Sequence, residues 1–99
     1  MLNIKKTIEG SKATFALEGR LDTNTAVELE AALQPVTDTV DELVFDFEDV
    51  DYISSAGLRV LLANYKAFSK KGGMKVIHVK DMIMEIFDVT GFSDILTIE

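Results

Sequence analysis

The sequence predicts an α/β fold: a mixed sheet of four to five strands with an N-terminal hairpin and with helices packed on the sheet. Two observations predict it. Strand-like apolar segments recur along the 99 residues, and from residue 22 onward they are separated by segments with apolar residues at helical spacing. The resulting order is strand, strand, helix, strand, helix, strand, helix, strand. Because strand–helix–strand units join parallel neighbours, only the first two strands form an antiparallel pair.

The first two segments form the hairpin. Residues 2–9 alternate imperfectly, and we expect Ile4 and Ile8 to point inward. Residues 9–12 contain glycine and serine and indicate a turn. The second strand covers residues 13–18, and we expect Gly19 to end it.

A helix-start signal follows the hairpin. Asp22-Thr23-Asn24-Thr25 offers side-chain oxygens that accept the unpaired N–H groups of a first helical turn. An apolar stripe at helical spacing then comprises Ala26, Leu29, Ala32 and Leu33. Pro35 indicates the end or a tightening of this helix, and residues 36–42 read as a connector.

The strongest strand is Leu43–Phe47. Its nearly continuous apolar character is typical of a central strand covered on both faces. Residues 49–53 carry the chain to two serines, where a helix begins whose apolar positions are Leu58, Leu61, Leu62, Tyr65 and Phe68. Lys70 and Lys71 complement its carboxyl end, and Gly72-Gly73 stops it.

The last third of the chain again alternates between strand and helix. Residues 74–79 read as a buried strand. Asp81 is expected to cap a short helix that Gly91 ends, with apolar residues Met82, Ile83, Ile86 and Phe87. Residues 94–98 read as a closing strand.

Size and charge restrict the function. Ninety-nine residues fit one domain, here taken as 1–99, and the amino terminus lacks the apolar core of a signal peptide. With no cysteine, no disulfide or thiolate metal site is possible. No apolar run is long enough to span a bilayer either, so we expect a soluble, cytoplasmic protein. The net charge of −7 disfavours binding to nucleic acid and to anionic membrane surfaces, and we expect the protein to bind neither. A solvated surface explains the lysines of the second half, Lys66, Lys70, Lys71, Lys75 and Lys80.

The most informative segment runs from Phe45 to Leu62. An apolar strand leads into Ser54 and Ser55, and a helix begins immediately after them. From position alone, helix capping is the simpler interpretation of both hydroxyls. The alternative is a phosphate, bound or attached to serine, in the positive field of the helix end.

Other polar residues have simpler interpretations. Asp46, Asp49 and Asp51 alternate along a strand with no histidine expected beside them, so we expect no metal site. Asp46 requires a hydrogen-bond partner and is a candidate support for the serine loop. His78 is expected to pack in a buried strand, and a single histidine so placed provides no catalytic triad. No glycine-rich phosphate loop is present, and we expect no cofactor.

Four segments in order resemble the STAS domain family, and within it the free-standing bacterial anti-sigma factor antagonists. These are Gly19-Arg20-Leu21-Asp22-Thr23-Asn24-Thr25-Ala26, Ile53-Ser54-Ser55-Ala56-Gly57-Leu58, Lys71-Gly72-Gly73 and Ile86-Phe87-Asp88-Val89-Thr90-Gly91-Phe92. The second resembles the family's phosphorylation segment. Aligned on Gly57-Leu58, the acceptor serine falls on Ser55, while Ser54 stands where the family usually has aspartate.

The resemblance implies a protein-binding switch and not an enzyme. The unmodified protein would bind an anti-sigma factor with serine kinase activity, and phosphorylation of Ser55 by that partner, using ATP, would break the complex. A serine phosphatase would reset the switch. The partner-facing patch implied by the resemblance comprises Asp22, Thr23, Asn24, Ser54, Ser55, Ala56, Gly57 and Arg59. Arg59, four residues after Ser55, is a candidate partner for the phosphate.

Two other functions remain open at this point. A STAS domain can serve as a scaffold subunit of a lipid-transport or signalling complex, with its serine chemistry idle. A helix amino terminus with hydroxyls can also hold the phosphate of a nucleotide.

Overall fold

A computed structural model describes residues 2–99 and confirms the predicted fold class. Its strands and helices, in chain order, are β1 Leu2–Glu9, β2 Lys12–Leu21, α1 Thr23–Thr37, β3 Glu42–Ile53, α2 Ser55–Phe68, β4 Gly73–Ile77, α3 Asp81–Thr90, a short 3-10 helix Phe92–Asp94 and β5 Thr97–Ile98. The strands form one sheet in the order β1-β2-β3-β4-β5. Only β1 and β2 are antiparallel, as the hairpin predicts, and every later neighbour is parallel.

The core is centred on β3 and a row of aromatic rings. Phe45 lies 6.2 Å from Phe15 and 6.3 Å from Phe47, and Phe47 lies 6.3 Å from Phe87, between ring centroids. All four rings are fully buried, so they tie β2, β3 and α3 together. Truncating such a ring to alanine typically costs about 3–5 kcal/mol of stability.

β3 is much longer than the sequence predicted, and two irregularities explain why. The β2 partners of Asp46 and Asp49 are only two residues apart, and those of Val50 and Tyr52 are adjacent, so β3 carries an extra residue at each point. Buried positions therefore fall at Phe47, Val50 and Ile53, and strict alternation is lost. Residues 49–53, which the sequence placed after the predicted strand, continue it.

Two expectations about strand surfaces were wrong. One face of β3 is only partly covered, because the side chains of Asp46 and Glu48, which point away from Phe45 and Phe47, are 23% and 71% exposed. Ile8, expected to point inward, is 48% exposed near the end of the edge strand β1.

Several element ends also differ from the sequence-based boundaries. Gly19 does not end β2 but lies inside it with φ +116°, a conformation that glycine adopts without a steric penalty. Pro35 lies within α1, which continues to Thr37 because buried Val36 holds the last turn in the core. The closing strand is only Thr97–Ile98, since the chain after Gly91 first forms the 3-10 helix.

Two charged residues act elsewhere than expected. Lys80, not Asp81, is the N-cap residue of α3, and Asp81 is the first helical residue, where its charge favours the positive helix end. Lys71 donates to the backbone carbonyl oxygens of Thr37 and Val40, so it satisfies the carboxyl end of α1 rather than that of α2.

Candidate functional site

Sheet register brings the amino termini of α1 and α2 side by side. Leu21 and Ile53 are paired residues at the carboxyl ends of the parallel strands β2 and β3. The backbone N–H of Ser54 donates to the carbonyl oxygen of Leu21 at 2.9 Å. Each strand leads within two residues into a helix, so both helix starts lie at this edge of the sheet. We call residues 21–25 and 53–57 the helix corner.

The two serines at the helix corner have different roles. Ser54 is the N-cap of α2, and its hydroxyl accepts the N–H of Gly57 at 3.3 Å, as the capping interpretation predicts. Ser55 is the first residue of the helix and is exposed. Its hydroxyl is therefore not needed for capping, yet it lies in the positive field of the helix end.

Asp22 caps the neighbouring helix through a capping box. Its Oδ1 accepts the backbone N–H groups of Thr25 and Asn24, both at 3.0 Å, and its own N–H donates to the Thr25 hydroxyl at 2.8 Å. The Thr25 backbone N–H foremost, with the Asn24 N–H and the charge of Arg20 in addition, lowers the pKa of the Asp22 carboxyl. The Thr25 hydroxyl also donates to the carbonyl oxygen of Arg20 at 2.7 Å, which fixes the loop to the end of β2.

Gly57 is buried and allows the close approach of α2 to the strands. A Cβ at this position would lie 2.8 Å from Leu21 Cγ and 2.9 Å from Ile53 Cγ1. A side chain here would push the helix start away from the sheet. Gly57 therefore shapes the corner from beneath, and a partner would meet the exposed residues around it.

An open groove of about 400 Å³ runs between α1 and α2 from the helix corner. Its lining residues are Thr23, Ala26, Val27, Glu30, Ala56, Arg59, Val60 and Ala63. Thus three residues of the patch implied by the resemblance, Thr23, Ala56 and Arg59, lie on one concave surface. Asp22, Asn24, Ser54 and Ser55 stand at its start, the first and third of them occupied with capping.

Sequence reasoning missed other residues of this surface. Val27 lies outside the predicted apolar stripe of α1 and is 64% exposed on the α1 side of the groove. Arg20 stacks over the Tyr52 ring at 4.3 Å on the paired strand ends just before the corner. No sequence pattern links Arg20 to Tyr52, because their proximity depends on the β2–β3 register.

A second polar group forms where β4 leaves the sheet, and it corrects two expectations. His78 follows β4 with φ +57° and a side chain 57% exposed, so it is not a packed core residue. Its Nδ1 lies 3.0 Å from Asp46 Oδ1 and 3.9 Å from Glu48 Oε1. Asp46 thus supports the turn after β4 and not the serine loop. We call Asp46, Glu48 and His78 the strand exit.

The two carboxylates of the strand exit change the pKa of its histidine. The hydrogen bond with Asp46 foremost, and then the negative charges of Asp46 and Glu48, raise the pKa of the His78 imidazole. Asp46 Oδ1 also accepts the backbone N–H of Glu48 at 3.0 Å, which fixes the carboxylate. The three side chains offer ligand atoms that lie within 4.8 Å of one another.

The lysines of the second half are dispersed rather than gathered. Lys75 pairs with Glu99 at 3.5 Å and Lys80 with Asp51 at 2.9 Å, while Lys71 binds backbone carbonyls. This agrees with a solvated surface rather than a basic patch. Within residues 2–99, no helix has the length and apolar character required to cross a membrane.

The chain is similar in sequence to proteins of one known family. The family model described as STAS domain matches residues 3–99. The chain is 31% identical over 83 residues to the anti-sigma-B factor antagonist of Bacillus subtilis strain 168, an alignment covering 83% of this chain and 76% of that protein.

Solved structures share the fold. The crystal structure of an anti-sigma factor antagonist from Mycobacterium paratuberculosis superimposes with a TM-score of 0.89 at 24% identity, covering 99% of this chain and 85% of that one. The phosphorylated form of the Bacillus cell fate determinant SpoIIAA superimposes with a TM-score of 0.75 at 14% identity, covering 100% and 91% of the two chains.

Proposed function

The chain belongs to the STAS domain family, and from this premise we propose that it is an anti-sigma factor antagonist controlled by phosphorylation of Ser55. Unmodified, the protein binds an anti-sigma factor that is also a serine kinase. Phosphorylated, it is released, and a serine phosphatase restores the binding form. The chain works as a single domain over residues 1–99 and as a binding protein, with ATP consumed by its partner.

The names of similar proteins support the binding role. The Bacillus subtilis relative is an anti-sigma-B factor antagonist. SpoIIAA, which shares the fold, has been solved in a phosphorylated form. From these two proteins the proposal takes an anti-sigma factor as the class of partner and phosphorylation as the modification.

The single observation that supports Ser55 as the modification site is that the two serines have different roles. Ser54 provides the cap, while Ser55 presents an exposed hydroxyl at the first position of α2. A kinase can reach such a hydroxyl without unfolding the helix. The free N–H groups and positive field of the helix end would then stabilise the product phosphate.

The groove beside Ser55 supports the position of the partner. It is concave, carries apolar positions such as Val27 and Val60, and begins at the helix corner. A partner seated there would enclose Ser55, and phosphorylation would add about −1.5 to −2 charges inside the contact. One like-charge pair about 6 Å apart costs roughly 3 kcal/mol at an effective dielectric of 20, which is about a hundredfold in affinity.

The experiment measures affinity for the kinase-type anti-sigma factor of the same host by calorimetry. We compare wild type, Ser55→Ala and Ser55→Asp, and we map the modified residue by mass spectrometry after incubation with that kinase and ATP. We expect phosphate on Ser55 alone, none in Ser55→Ala, and at least tenfold weaker binding by Ser55→Asp because a new negative charge enters the contact.

Ser54→Asp is the matched control. It adds the same charge one residue earlier, but aspartate is as good an N-cap as serine and its carboxylate turns toward the helix N–H groups. It should weaken binding less than Ser55→Asp. Equal loss in both variants, or phosphate found elsewhere, contradicts Ser55 as the switch.

A further inference from the structure

We propose that Asp46, Glu48 and His78 form a binding site for one divalent transition-metal ion of the zinc class. The strand exit is separate from the helix corner, and its proposed role does not depend on the phosphorylation switch. One imidazole nitrogen and two carboxylates form a donor set that suits Zn²⁺ better than Mg²⁺ or Ca²⁺, which prefer oxygen donors only.

The distances from His78 to the two carboxylates are close to those of a zinc site. Zinc binds imidazole nitrogen and carboxylate oxygen at about 2.0–2.2 Å, so neighbouring ligand atoms of a tetrahedral site lie roughly 3.4 Å apart. His78 Nδ1 lies 3.0 Å from Asp46 Oδ1 and 3.9 Å from Glu48 Oε1, on either side of that value. Shifts of a few tenths of an ångström bring the imidazole to this spacing from each carboxylate, and the exposed Glu48 side chain can rotate to set the third distance, which is at most 4.8 Å.

Backbone structure holds all three ligands in place. Asp46 and Glu48 are alternate residues of β3 and project from the same side of the strand. Ile77 is the ladder partner of Asp46, so the next residue, His78, is delivered to the same position by the β3–β4 register. The Glu48 N–H bonds Asp46 Oδ1 at 3.0 Å, an outer-shell contact of the kind that orients metal ligands.

The charge balance also favours a cation. In the part of the chain that the structure describes, His78 is the one charge partner found for Asp46 and Glu48. Lys80, two residues after His78, is paired with Asp51 at 2.9 Å. Two carboxylates thus share at most one positive imidazole, and a divalent ion bound to neutral imidazole would leave them fully compensated.

The test titrates Zn²⁺ into untagged protein in a mildly alkaline buffer, because a coordinating imidazole nitrogen must be free of its proton. Calorimetry gives the stoichiometry, and the NMR signals of the imidazole report coordination directly, since the sequence contains one histidine. We expect one ion per chain, a shift of the His78 ring signals, and a melting temperature that rises with Zn²⁺.

The variants are Asp46→Asn, Glu48→Gln and His78→Asn, the last because asparagine tolerates the positive φ of this position. Asp49→Asn is the matched control, with the same substitution at an exposed position of the same strand outside the site. We expect the first and third variants to bind Zn²⁺ at least tenfold more weakly, and Asp49→Asn to bind like wild type.

Circular dichroism checks that each variant is folded. If Asp46→Asn does not fold, Glu48→Gln takes its place in the comparison. No saturable binding up to about 1 mM Zn²⁺ overturns the proposal. So does equal weakening in Asp49→Asn, unchanged binding in His78→Asn, or displacement of Zn²⁺ by an equal concentration of Ca²⁺.

Discussion

The helix corner lies at the carboxyl ends of β2 and β3, whereas the strand exit lies beside the middle of β3 where β4 ends, and the two regions are held together differently. At the helix corner the side-chain hydrogen bonds are local: Ser54 accepts the N–H of Gly57, and Asp22 accepts the N–H of Thr25. At the strand exit Asp46 meets a residue 32 positions away, His78. The side-chain contacts of the helix corner can therefore be predicted from the sequence, whereas those of the strand exit form only when the sheet assembles.

The largest effect should come from filling the space beneath the helix corner. Gly57→Ala places a methyl group 2.8 Å from Leu21 Cγ, and the overpacking should destabilise the protein by about 1–3 kcal/mol. That corresponds to a melting temperature lower by about 4–8 °C per kcal/mol in a domain of this size. Urea denaturation and thermal melting measure it.

A double variant separates the clash from helix propensity. Leu21→Ala removes one of the two side chains that the new methyl group meets, so Gly57→Ala should cost less in that background than in wild type. If the two costs simply add, the contact with Leu21 does not shape the corner.

A smaller effect tests whether the corner is adapted to a phosphate. Arg59 lies four residues after Ser55 along α2, is exposed, and lines the groove. Arg59→Ala should leave the unmodified protein unchanged but make the Ser55-phosphorylated form less stable by about 0.2–1 kcal/mol, the range of an exposed ion pair. Denaturation of both forms of both proteins measures the difference, and equal shifts on phosphorylation would exclude the pairing.

The smallest effect concerns the strand exit without metal. Asp46 foremost, and Glu48, raise the pKa of His78 above its ordinary value of 6.5, so the native state favours the protonated imidazole. The resulting stabilisation is complete below the unfolded pKa and disappears as the pH rises through the raised native pKa. Denaturation in the presence of a chelator should show this loss in wild type.

His78→Asn is the control for that pH dependence. It keeps a residue that accepts positive φ but removes the titrating ring. The difference in stability between wild type and variant should therefore shrink from mildly acidic to mildly alkaline pH. A constant difference across this range would mean that the ion pair adds nothing and that the strand exit is held by the sheet alone.

Local chemistry explains what could be predicted of the fold. The helix periodicity, the Asp22 and Ser54 caps and Gly91 at the end of α3 each depend on residues close in sequence, and all are confirmed. The errors concentrate where tertiary contacts override that local pattern. Buried Val36 carries α1 past Pro35, and two extra residues extend β3 beyond Phe47.

The same division applies to the candidate site. A serine after a strand and before a helix is visible in the sequence, because capping needs only the next turn of chain. The groove is not, since Val27 and Arg59 become neighbours only when α1 and α2 pack together. His78 was misplaced because apolar neighbours on its amino-terminal side indicate a strand, while its positive φ turns the chain out of the sheet.

The amino-acid sequence was enough to predict the order of strands and helices and the cap at Ser54, since each depends on interactions within a few residues, and four segments in order indicated the family. The adjacent starts of α1 and α2, the groove between these helices and the contact of His78 with Asp46 and Glu48 come from the assembled fold. These features depend on strand register, and register is set by the packing of residues far apart in the chain.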